Sequence, residues 1–474
     1  MDPQESRSLQ DWRSLGHRRR CQIVASARRL IAAACDEWVS ACPSLTRSDQ
    51  VETIASELLP LCAALQFIGR RGGSILRTRR VSVWGRPIWL WGIRSQIQRV
   101  PRGDVLILGA WNYPLLLPGV QLAQGLAAGN RVFFKPAPGC EVVSARLIEM
   151  FWEAGVPRAA LQLLPSPPQS AIEKIDQGVD LVVLTGAAQT GRAVLRQCAD
   201  KLTPTILELS GCDAVIVGPD ADLGRVAKAI RFGLMFNGGA TCIGPRRILV
   251  AEKVKDRLVE QLRLEFENVL PVRLHPSATL PVRSAIEDAL QRGATHVLNQ
   301  STHPVTADES FESLFSAVVL DHVLPDWPIA NTDLFAPVAS LIAYTSDDHA
   351  IEMVNRCRYR LAAAVFGSTQ WAEAIAERLQ VGTVTLQDII FPTADPRLPF
   401  GGRGESGFGV TRGAQGLLEM TAPRVIATHR GRHYLHLAAR SPNDLSALAG
   451  MLTLTHAALD QKWAALRRLC GRVK

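Results

Sequence analysis

The chain has 474 residues, of which 47% are apolar and 20% charged, and its net charge is +9. This length and composition predict more than one hydrophobic core and exclude a disordered or fibrous protein. The positive charges are spread along the chain rather than gathered in blocks, and no nucleic-acid-binding motif occurs, so we expect no nucleic-acid partner.

The ten cysteines form no CxxC pair and no regular framework. In a chain this long, that usage favours reduced thiols in the cytoplasm. The N-terminus is polar and no apolar run reaches the length of a membrane span, so we expect neither a secretory signal nor a transmembrane helix. The predicted localisation is cytoplasmic, with membrane association as an open alternative.

Residues 1–72 predict helices, because apolar residues recur at helical spacing and Ser48 or Asp49 is suited to cap one helix. Residues 79–100 are rich in Val, Ile and Trp around a Gly-Arg-Pro turn, which predicts a strand, a turn and a second strand. A hairpin of this kind exposes its edges unless it pairs with something, so we expect an oligomerisation element.

From residue 103 the chain alternates short apolar strands with helices, as in DVLILGA, RVFFKP, DLVVLTG and TILELSG. Alternation with short loops predicts a parallel, doubly wound sheet, whose ligands bind outside the carboxyl ends of the strands. Residues 211–404 repeat the alternation less regularly, with candidate strands DAVIVG, RRILVA, SAVVLD, ASLIAY and GTVTL. They predict a second α/β domain.

Residues 431–474 predict a basic amphipathic tail, with a helix from Asn443 onward. We expect this tail to pack on the body of the protein or on a partner subunit, and contact with an anionic membrane surface is the alternative. His429, His433 and His436 are loosely spaced and have no cysteine or carboxylate close in sequence, so we expect no metal site.

Several candidate functional residues lie where the predicted strands end. Asn112 follows the DVLIL strand and offers an amide donor for a developing oxyanion, or only a turn. Lys135 can bond to ribose or phosphate, or be merely solvated. The turn TGAAQTGR, 185–192, opens a helix whose free N–H groups suit a diphosphate.

Glu208 and Cys242 are the two candidates for bond making and bond breaking. Glu208 ends an apolar strand, where burial should raise the pKa of its carboxyl group and suit it to act as a general base. Cys242 follows two glycines, and backbone N–H groups in such a turn can stabilise a thiolate. Taken singly, each residue is also compatible with a purely structural role.

Seven separated stretches carry a family resemblance: GAWNYP, FKPAP, LTGAAQTG, LELSG, NGGATC, LFAPVA and LPFGGRGESGFG. In this order, across about residues 100–410, the chain resembles the aldehyde dehydrogenase superfamily, and its short N-terminal region is similar to the class-three branch.

The resemblance implies an α/β fold with a doubly wound nucleotide-binding domain, an α/β catalytic domain and a small β oligomerisation element. We assign residues 1–78 and 101–210 to the first, 211–404 to the second, and 79–100 with 415–430 to the third. Residues 431–474 form the tail.

For the site, the resemblance implies that Cys242 is the nucleophile, that Asn112 with the Cys242 backbone N–H forms the oxyanion hole, and that Glu208 activates water. On the cofactor side the implied residues are Lys135 at the adenosine ribose, Gly186, Ala187 and Gly191 near the diphosphate, Asp333 at the nicotinamide ribose and Phe335 beside the nicotinamide.

The departures from the family pattern fall mainly on the cofactor side. Ala240 replaces a glutamine near the cysteine, and Ala137-Pro138 replaces Ser-Glu, which removes a carboxylate that would repel a 2′-phosphate. The predicted cofactor is therefore NAD or NADP. Asp333 replaces a glutamate, and Cys212 stands where the family has lysine.

We therefore predict an NAD(P)-dependent enzyme that oxidises an apolar aldehyde to its acid through a thioester on Cys242. One alternative passes the thioester to CoA, although Glu208 counts against it. Another is a non-catalytic member acting as an interaction or membrane-surface protein. The expected assembly is a homodimer.

Overall fold

The structure is a computed structural model that describes residues 3–42, 46–47, 49–298, 314–431, 434–437, 439–459, 461–463 and 466. The chain divides into two compact units. The first comprises Met1–Thr78 and Gln98–Arg424, and the second comprises Arg79–Ile97 and Val425–Lys474. Both large sheets lie in the first unit.

The N-terminal part is helical, as predicted. Its helices are α1 Pro3–Ser14, α2 His17–Ala33, α3 Cys35–Ala41, α4 Gln50–Thr53, α5 Leu59–Phe67 and α6 Gly73–Ile75, with π-helical segments at Ile54–Leu58 and Ile68–Gly72. Asp49 caps α4, since its carboxylate accepts the N–H of Glu52 at 2.8 Å. Ser48, the other predicted cap, lies outside the described residues.

The helical stretch Gln50–Ile75 is long and apolar enough to cross a membrane by length and composition. This corrects the expectation that no run reaches that length. Half of its apolar window is buried within the protein, and Leu61, Leu65 and Ile68 pack in the core. Packing in that core is the physical reason for its apolar composition.

The predicted hairpin is present, and its strands are β1 Arg79–Arg80 and β2 Ile93–Pro101. They pair antiparallel, with Arg79 opposite Ile97. The first strand has only two residues, so most of the segment between them is loop.

The predicted strand–helix alternation over 103–210 is confirmed. The elements are β3 Asp104–Leu108, α7 Leu116–Ala128, β4 Arg131–Lys135, α8 Glu141–Glu153, β5 Leu161–Leu163, α9 Pro168–Gln177, β6 Leu181–Gly186, α10 Ala188–Ala199 and β7 Thr205–Leu209. The parallel strands lie in the order β7-β6-β3-β4-β5. The order reverses at β3, which is where a doubly wound sheet opens its ligand crevice.

A second α/β sheet follows, built around its own core. Its elements are β8 Asp213–Val217, α11 Leu223–Met235, β9 Pro245–Ala251, α12 Lys255–Phe266, β10 Val272–Arg273, α13 Pro276–Gln291, β11 Thr295–His296, β12 Leu314–Phe315, β13 Val318–Asp321, β14 Val338–Tyr344, α14 Asp347–Arg356, β15 Tyr359–Arg360, β16 Ala362–Phe366, α15 Thr369–Ala376 and β17 Thr383–Leu386. The sheet order is β11-β13-β14-β9-β8-β16-β17.

Seven of these elements were not predicted: the two-residue strands β10, β11, β12 and β15, and the longer elements β16, α13 and α14. Strand β16 reads AAAVF and is buried throughout, and alanine is a poor indicator of a strand. Helix α13 contains Pro281 in its interior, which argues against a helix. Helix α14 is short and begins with two aspartates, and Ser346 caps it by accepting the N–H of His349.

The chain ends with β18 Arg403–Gly404, β19 Gly407–Phe408, α16 Gly413–Glu419, β20 Thr421–His429 and α17 Asp444–His456. Strand β19 pairs antiparallel with β7 and sets Gly407 opposite Glu208. The segment assigned to the β element, 415–430, begins within α16, and its strand is β20, which begins at Thr421. Strands β1, β2 and β20 form a three-stranded sheet.

Helix α17 begins after Asn443, as expected. Its apolar residues do not share one face: Leu445, Leu448 and Leu452 lie on one side, and Met451 and Leu454 on others. The expected amphipathic pattern is therefore wrong for this helix. Much of the basic stretch beyond residue 459 lies outside the described residues.

Candidate active site

The carboxyl ends of the first sheet gather most of the predicted residues around one cavity. Asn112 follows β3, Gly186 ends β6, Glu208 lies near the end of β7, and Cys242 lies in the loop before β9. The cavity lining comprises Ala110, Asn112, Leu117, Thr185, Gly186, Glu208, Leu209, Ser210, Cys242, Phe335, Leu361 and Phe400. The nucleophile, amide donor and base proposed from sequence therefore share one space.

The Asn-Gly-Gly turn before Cys242 has a left-handed backbone. Asn237, Gly238 and Gly239 have φ values of 52°, 58° and 77°. A Cβ atom on Gly239 would lie 2.3 Å from the backbone carbon of Ala336. Only glycine fits there, so the sequence of this turn fixes how the loop carries Cys242.

The Cys242 thiol is half-buried. Burial, together with the nearby carboxyl groups of Asp213 and Glu208, raises its pKa to about 12 against the opposing charge of Arg412. The expectation that the turn stabilises a thiolate is therefore wrong for this structure. At neutral pH the thiol is protonated, and it needs a proton acceptor before it can attack.

Asn112 is held by the cysteine loop. Its side-chain amide donates a hydrogen bond to the carbonyl oxygen of Ala240 at 2.9 Å, and its backbone carbonyl accepts one from the side chain of Asn237 at 2.9 Å. The second hydrogen of the Asn112 amide has no acceptor among the described residues. The Asn112 side chain is therefore oriented beside the cysteine loop, and one of its amide hydrogens remains available to a substrate oxygen.

Tyr113 also ties the two loops together. Its hydroxyl lies 2.5 Å from the hydroxyl of Thr241, and its ring is buried. The neighbouring Trp111 stacks on His275 with ring centroids 4.1 Å apart and lies 5.9 Å from the Phe335 ring. Of the two aromatics beside Asn112, Tyr113 is thus a core residue, whereas Trp111 borders the Phe335 side of the cavity.

Glu208 is buried and receives hydrogen bonds on both oxygens. The Thr411 hydroxyl donates to one oxygen in a close contact. The Thr185 hydroxyl and the Gln121 amide donate to the other, each at 3.2 Å. Burial raises the pKa of Glu208, as predicted, and Arg412 with the three donors opposes the rise. The carboxylate is therefore both positioned and made more basic.

The residues expected near a diphosphate lie at the start of α10. Ala187 is the N-cap residue and provides no side-chain cap, so backbone N–H groups of the first turn remain for an anion. A Cβ atom on Gly191 would lie 2.7 Å from Leu209. Glycine at 191 therefore lets the helix pack close to β7, which suits a nucleotide cradle.

Lys135 ends β4 and is almost fully buried. Its ammonium group donates to the carbonyl oxygen of Pro136 at 2.9 Å, and burial lowers its pKa. Its place at a strand end, next to β3, agrees with a contact to a nucleotide ribose.

Asp333 is not brought into the cavity with the others. Its carboxylate forms an ion pair with Arg246 at 3.1 Å, and both side chains are 2% exposed. It also accepts the N–H of Phe335 at 3.1 Å, whose backbone is left-handed at φ 47°. In this structure Asp333 therefore stabilises the loop that presents Phe335, and the contact to the nicotinamide ribose that the resemblance implied stays a prediction.

Sequence reasoning did not identify Thr411, Arg412, Thr185 or Gln121. Thr411 and Arg412 lie two and three residues after the FGGRGESGFG stretch, and Thr185 lies within LTG, so proximity to a recognised motif was an available signal. Gln121 lies within α7, and no local pattern marks it. No group of three or more possible metal ligands occurs in the described part of the chain, and His433 lies outside it.

Comparison with known proteins places this geometry in a family. Residues 4–426 match the model of the aldehyde dehydrogenase family. The chain is 29% identical to 4,4'-diapolycopene aldehyde oxidase from Methylomonas sp, over 89% of this chain and 79% of that protein. It is 32% identical to benzaldehyde dehydrogenase [NAD(+)] from Pseudomonas putida, over 69% and 68%.

A solved structure has the same fold. The aldehyde dehydrogenase of Mycobacterium tuberculosis complexed with NAD+ superposes with a TM-score of 0.79 at 24% identity, covering 89% of this chain and 88% of that one.

Proposed function

Since the chain belongs to the aldehyde dehydrogenase family, we propose that Cys242 is the nucleophile, Asn112 the oxyanion donor and Glu208 the base of its reaction. The protein is an NAD(P)-dependent aldehyde dehydrogenase. The observation that carries the residue assignment is the single cavity lined by Cys242, Glu208 and Asn112.

In the first step, the Cys242 thiol gives its proton to solvent water, and its sulfur forms a bond to the aldehyde carbon. The carbonyl oxygen becomes an oxyanion, which accepts hydrogen bonds from the Asn112 amide and the Cys242 backbone N–H. NAD or NADP, when bound, supplies the hydride acceptor that converts this adduct to a thioester. Two parts of the chain are suited to hold this cofactor: the turn that contains Gly186, Ala187 and Gly191, and the side chain of Lys135.

In the second step, Glu208 takes a proton from water, whose oxygen attacks the thioester carbon. The carbon–sulfur bond breaks, the carboxylic acid leaves, and Glu208 passes its proton to the sulfur, which restores the Cys242 thiol. The raised pKa of Glu208 and its three hydrogen-bond donors suit this role. A base in this position favours hydrolysis over transfer to CoA, and an assay that separates free acid from acyl-CoA tests this choice.

We propose an uncharged, apolar aldehyde as the substrate. The cavity lining contains Leu117, Leu209, Leu361, Phe335 and Phe400 but no lysine or arginine. A carboxylate-bearing aldehyde would need such a cation. Two relatives are named for a diapolycopene aldehyde and for benzaldehyde. A third, an enzyme of Deinococcus radiodurans that is 29% identical to this chain, is named for succinate semialdehyde.

The decisive experiment mixes purified protein with NAD or NADP and a panel of aliphatic, aromatic and carboxylate-bearing aldehydes. We expect reduced cofactor to absorb with the apolar members. Folded protein that reduces neither cofactor with any aldehyde, and whose melting temperature responds to neither nucleotide, would instead support the non-catalytic alternative.

We also propose a cytoplasmic homodimer that contacts an anionic membrane surface through its tail. The nine cysteines among the described residues are free, which supports a reducing compartment. Strand β20 is an edge of the three-stranded sheet and can pair with a second copy. Exposed leucines of α17 support membrane contact. Light scattering and cell fractionation test the two assignments.

A further inference from the structure

The loop between β1 and β2 exposes tryptophan to an unusual extent. Within eight residues it carries Trp84, Trp89 and Trp91, whose side chains are 89%, 50% and 74% exposed. The apolar residues Val81, Val83, Ile88 and Leu90 beside them are exposed too. Single exposed apolar residues are ordinary in soluble proteins, but a contiguous set marks an interaction surface.

The loop is ordered by its own backbone. The N–H of Val81 donates to Ser95 at 2.9 Å, that of Arg86 to Val83 at 3.2 Å, and that of Leu90 to Pro87 at 3.0 Å. Gly85 and Gly92 supply left-handed turns at φ 78° and 88°. The exposed tryptophans therefore lie on a loop whose backbone conformation is fixed by hydrogen bonds and turns.

The charge of this surface is of one sign. Residues 79–97 contain Arg79, Arg80, Arg86 and Arg94 and no acidic residue. None of these arginines forms an ion pair with another described residue. The surface therefore suits a partner that is both apolar and anionic.

Helix α17 extends the same surface. The Trp89 ring lies 6.3 Å from the His456 ring at the end of that helix. Leu445, Leu448 and Leu452 of α17 are exposed and share one side of it. The tryptophan loop and the leucines of the tail helix thus belong to one compact unit and are both unburied.

We propose that this tryptophan–arginine loop, residues 81–94, inserts into the interfacial region of an anionic lipid bilayer. Tryptophan concentrates at the level of the lipid headgroups, where its ring is apolar and its N–H is solvated. Arginines beside it attract acidic lipids. The proposal rests on the proposed membrane contact and identifies the element that makes it, but it does not depend on the aldehyde chemistry.

A second copy of the chain fits this surface less well. If this surface met its own copy across a two-fold axis, four arginines would face four others. Single-stranded nucleic acid would satisfy the arginines and stack on the tryptophans, but it would leave Val81, Val83, Ile88 and the helix leucines without an apolar environment. A bilayer supplies both the charge and the apolar medium.

The test uses the full-length protein and two sets of vesicles, one of phosphatidylcholine alone and one containing a third phosphatidylglycerol. We expect cosedimentation with the anionic vesicles, weakened by salt. The double variant Trp84→Ser, Trp91→Ser should lose at least about tenfold in partitioning. Leu280→Ser, at an equally exposed residue of α13, is the matched control and should bind as the wild type.

A second measurement locates the tryptophans. Brominated phospholipids should quench the fluorescence of the wild type more than that of the double variant. Arg86→Gln with Arg94→Gln should weaken binding to anionic vesicles and leave binding to neutral ones unchanged.

Three results would overturn the proposal: a wild type that binds neither vesicle, a double variant that binds as the wild type does, or a double variant that changes only the dimer or the affinity for single-stranded DNA. Activity on benzaldehyde in buffer is measured in parallel. If lipid binding fails while that activity persists, the membrane inference falls alone. If activity fails while lipid binding persists, the proposed catalysis falls alone.

Discussion

The carboxylate of Asp333 and the guanidinium of Arg246 lie 3.1 Å apart, and both side chains are almost fully buried. The same guanidinium donates to the carbonyl oxygens of Gly239, at 2.6 Å, and Ala336, at 3.2 Å. The pair therefore joins the strand after Cys242 to the loop that carries Phe335 and to the turn before the cysteine. It acts as a structural junction of the site.

Removing one member of this pair should destabilise the protein. Asp333→Ala leaves Arg246 as an uncompensated buried charge, which costs about 3–5 kcal/mol, so we expect the melting temperature to fall by several degrees. Asp288→Ala, which breaks the exposed Arg292–Asp288 pair at 2.8 Å, is the control and should change stability by less than about 1 kcal/mol. An Asp333→Ala protein of unchanged stability, in which only the KM for the cofactor rises, would contradict the structural role and favour the ribose role.

Replacing the nucleophile should abolish turnover. Cys242→Ser puts a hydroxyl in place of the thiol, and we expect kcat to fall by roughly a thousandfold or more, measured as production of reduced cofactor. Cys62→Ala changes another half-buried cysteine, in α5, and should retain activity. Turnover by Cys242→Ser close to that of the wild type would exclude Cys242 as the nucleophile.

Removing the base should separate the two steps. In Glu208→Gln the thioester should still form, because no step before it needs water to be activated. We therefore expect a burst of about one reduced cofactor per active site followed by slow turnover. Mass spectrometry should find the acyl group on Cys242. A steady-state rate equal to that of the wild type contradicts the assignment.

The hydrogen bond from Thr411 to Glu208 should set the acid side of the pH profile. The hydroxyl stabilises the ionised carboxylate and so lowers its pKa against the rise caused by burial. Thr411→Val removes that donor, so the pKa rises further and the acid limb of kcat moves to higher pH. Thr411→Ser keeps the hydroxyl and should keep the profile. Identical profiles for all three proteins would show that Glu208 does not govern this limb.

Arg412 should control the reactivity of the thiol. Its charge lowers the pKa of Cys242, and its guanidinium lies over the Phe400 ring, 4.8 Å from the centroid. Arg412→Met keeps an unbranched chain and removes the charge, so the pKa should rise and alkylation by iodoacetamide at pH 9 should slow. Arg412→Lys retains the charge and serves as the control. Faster alkylation of the Met variant would contradict this role.

Much of the first sheet follows from the sequence, because its strands are short apolar runs separated by helices of regular period. The second sheet is harder to predict, since AAAVF owes its strand structure to burial between neighbours rather than to its own composition. The same limit applies to the site. Most of the identified residues lie within motifs, whereas the side chain of Gln121, in the interior of α7, meets Thr185 and Glu208 only in the folded chain.

The charges of the site show a second limit. Sequence placed Glu208 at the end of an apolar strand, and that was enough to predict the direction of its pKa shift. It could not predict the shift of Cys242, which depends on burial and on carboxyl groups from other segments, such as Asp213. The sequence also could not show that Arg246, in β9, would form an ion pair with the carboxylate of Asp333.

A thiol whose pKa is about 12 is also a poor target for oxidants and electrophiles. Peroxide and alkylating agents react with the thiolate, which is scarce while Cys242 remains protonated. An enzyme that handles aldehydes works among electrophiles, and a permanently ionised cysteine would be consumed by side reactions. The raised pKa therefore slows the attack of Cys242 on its substrate, but it also protects the sulfur from oxidation and alkylation between turnovers.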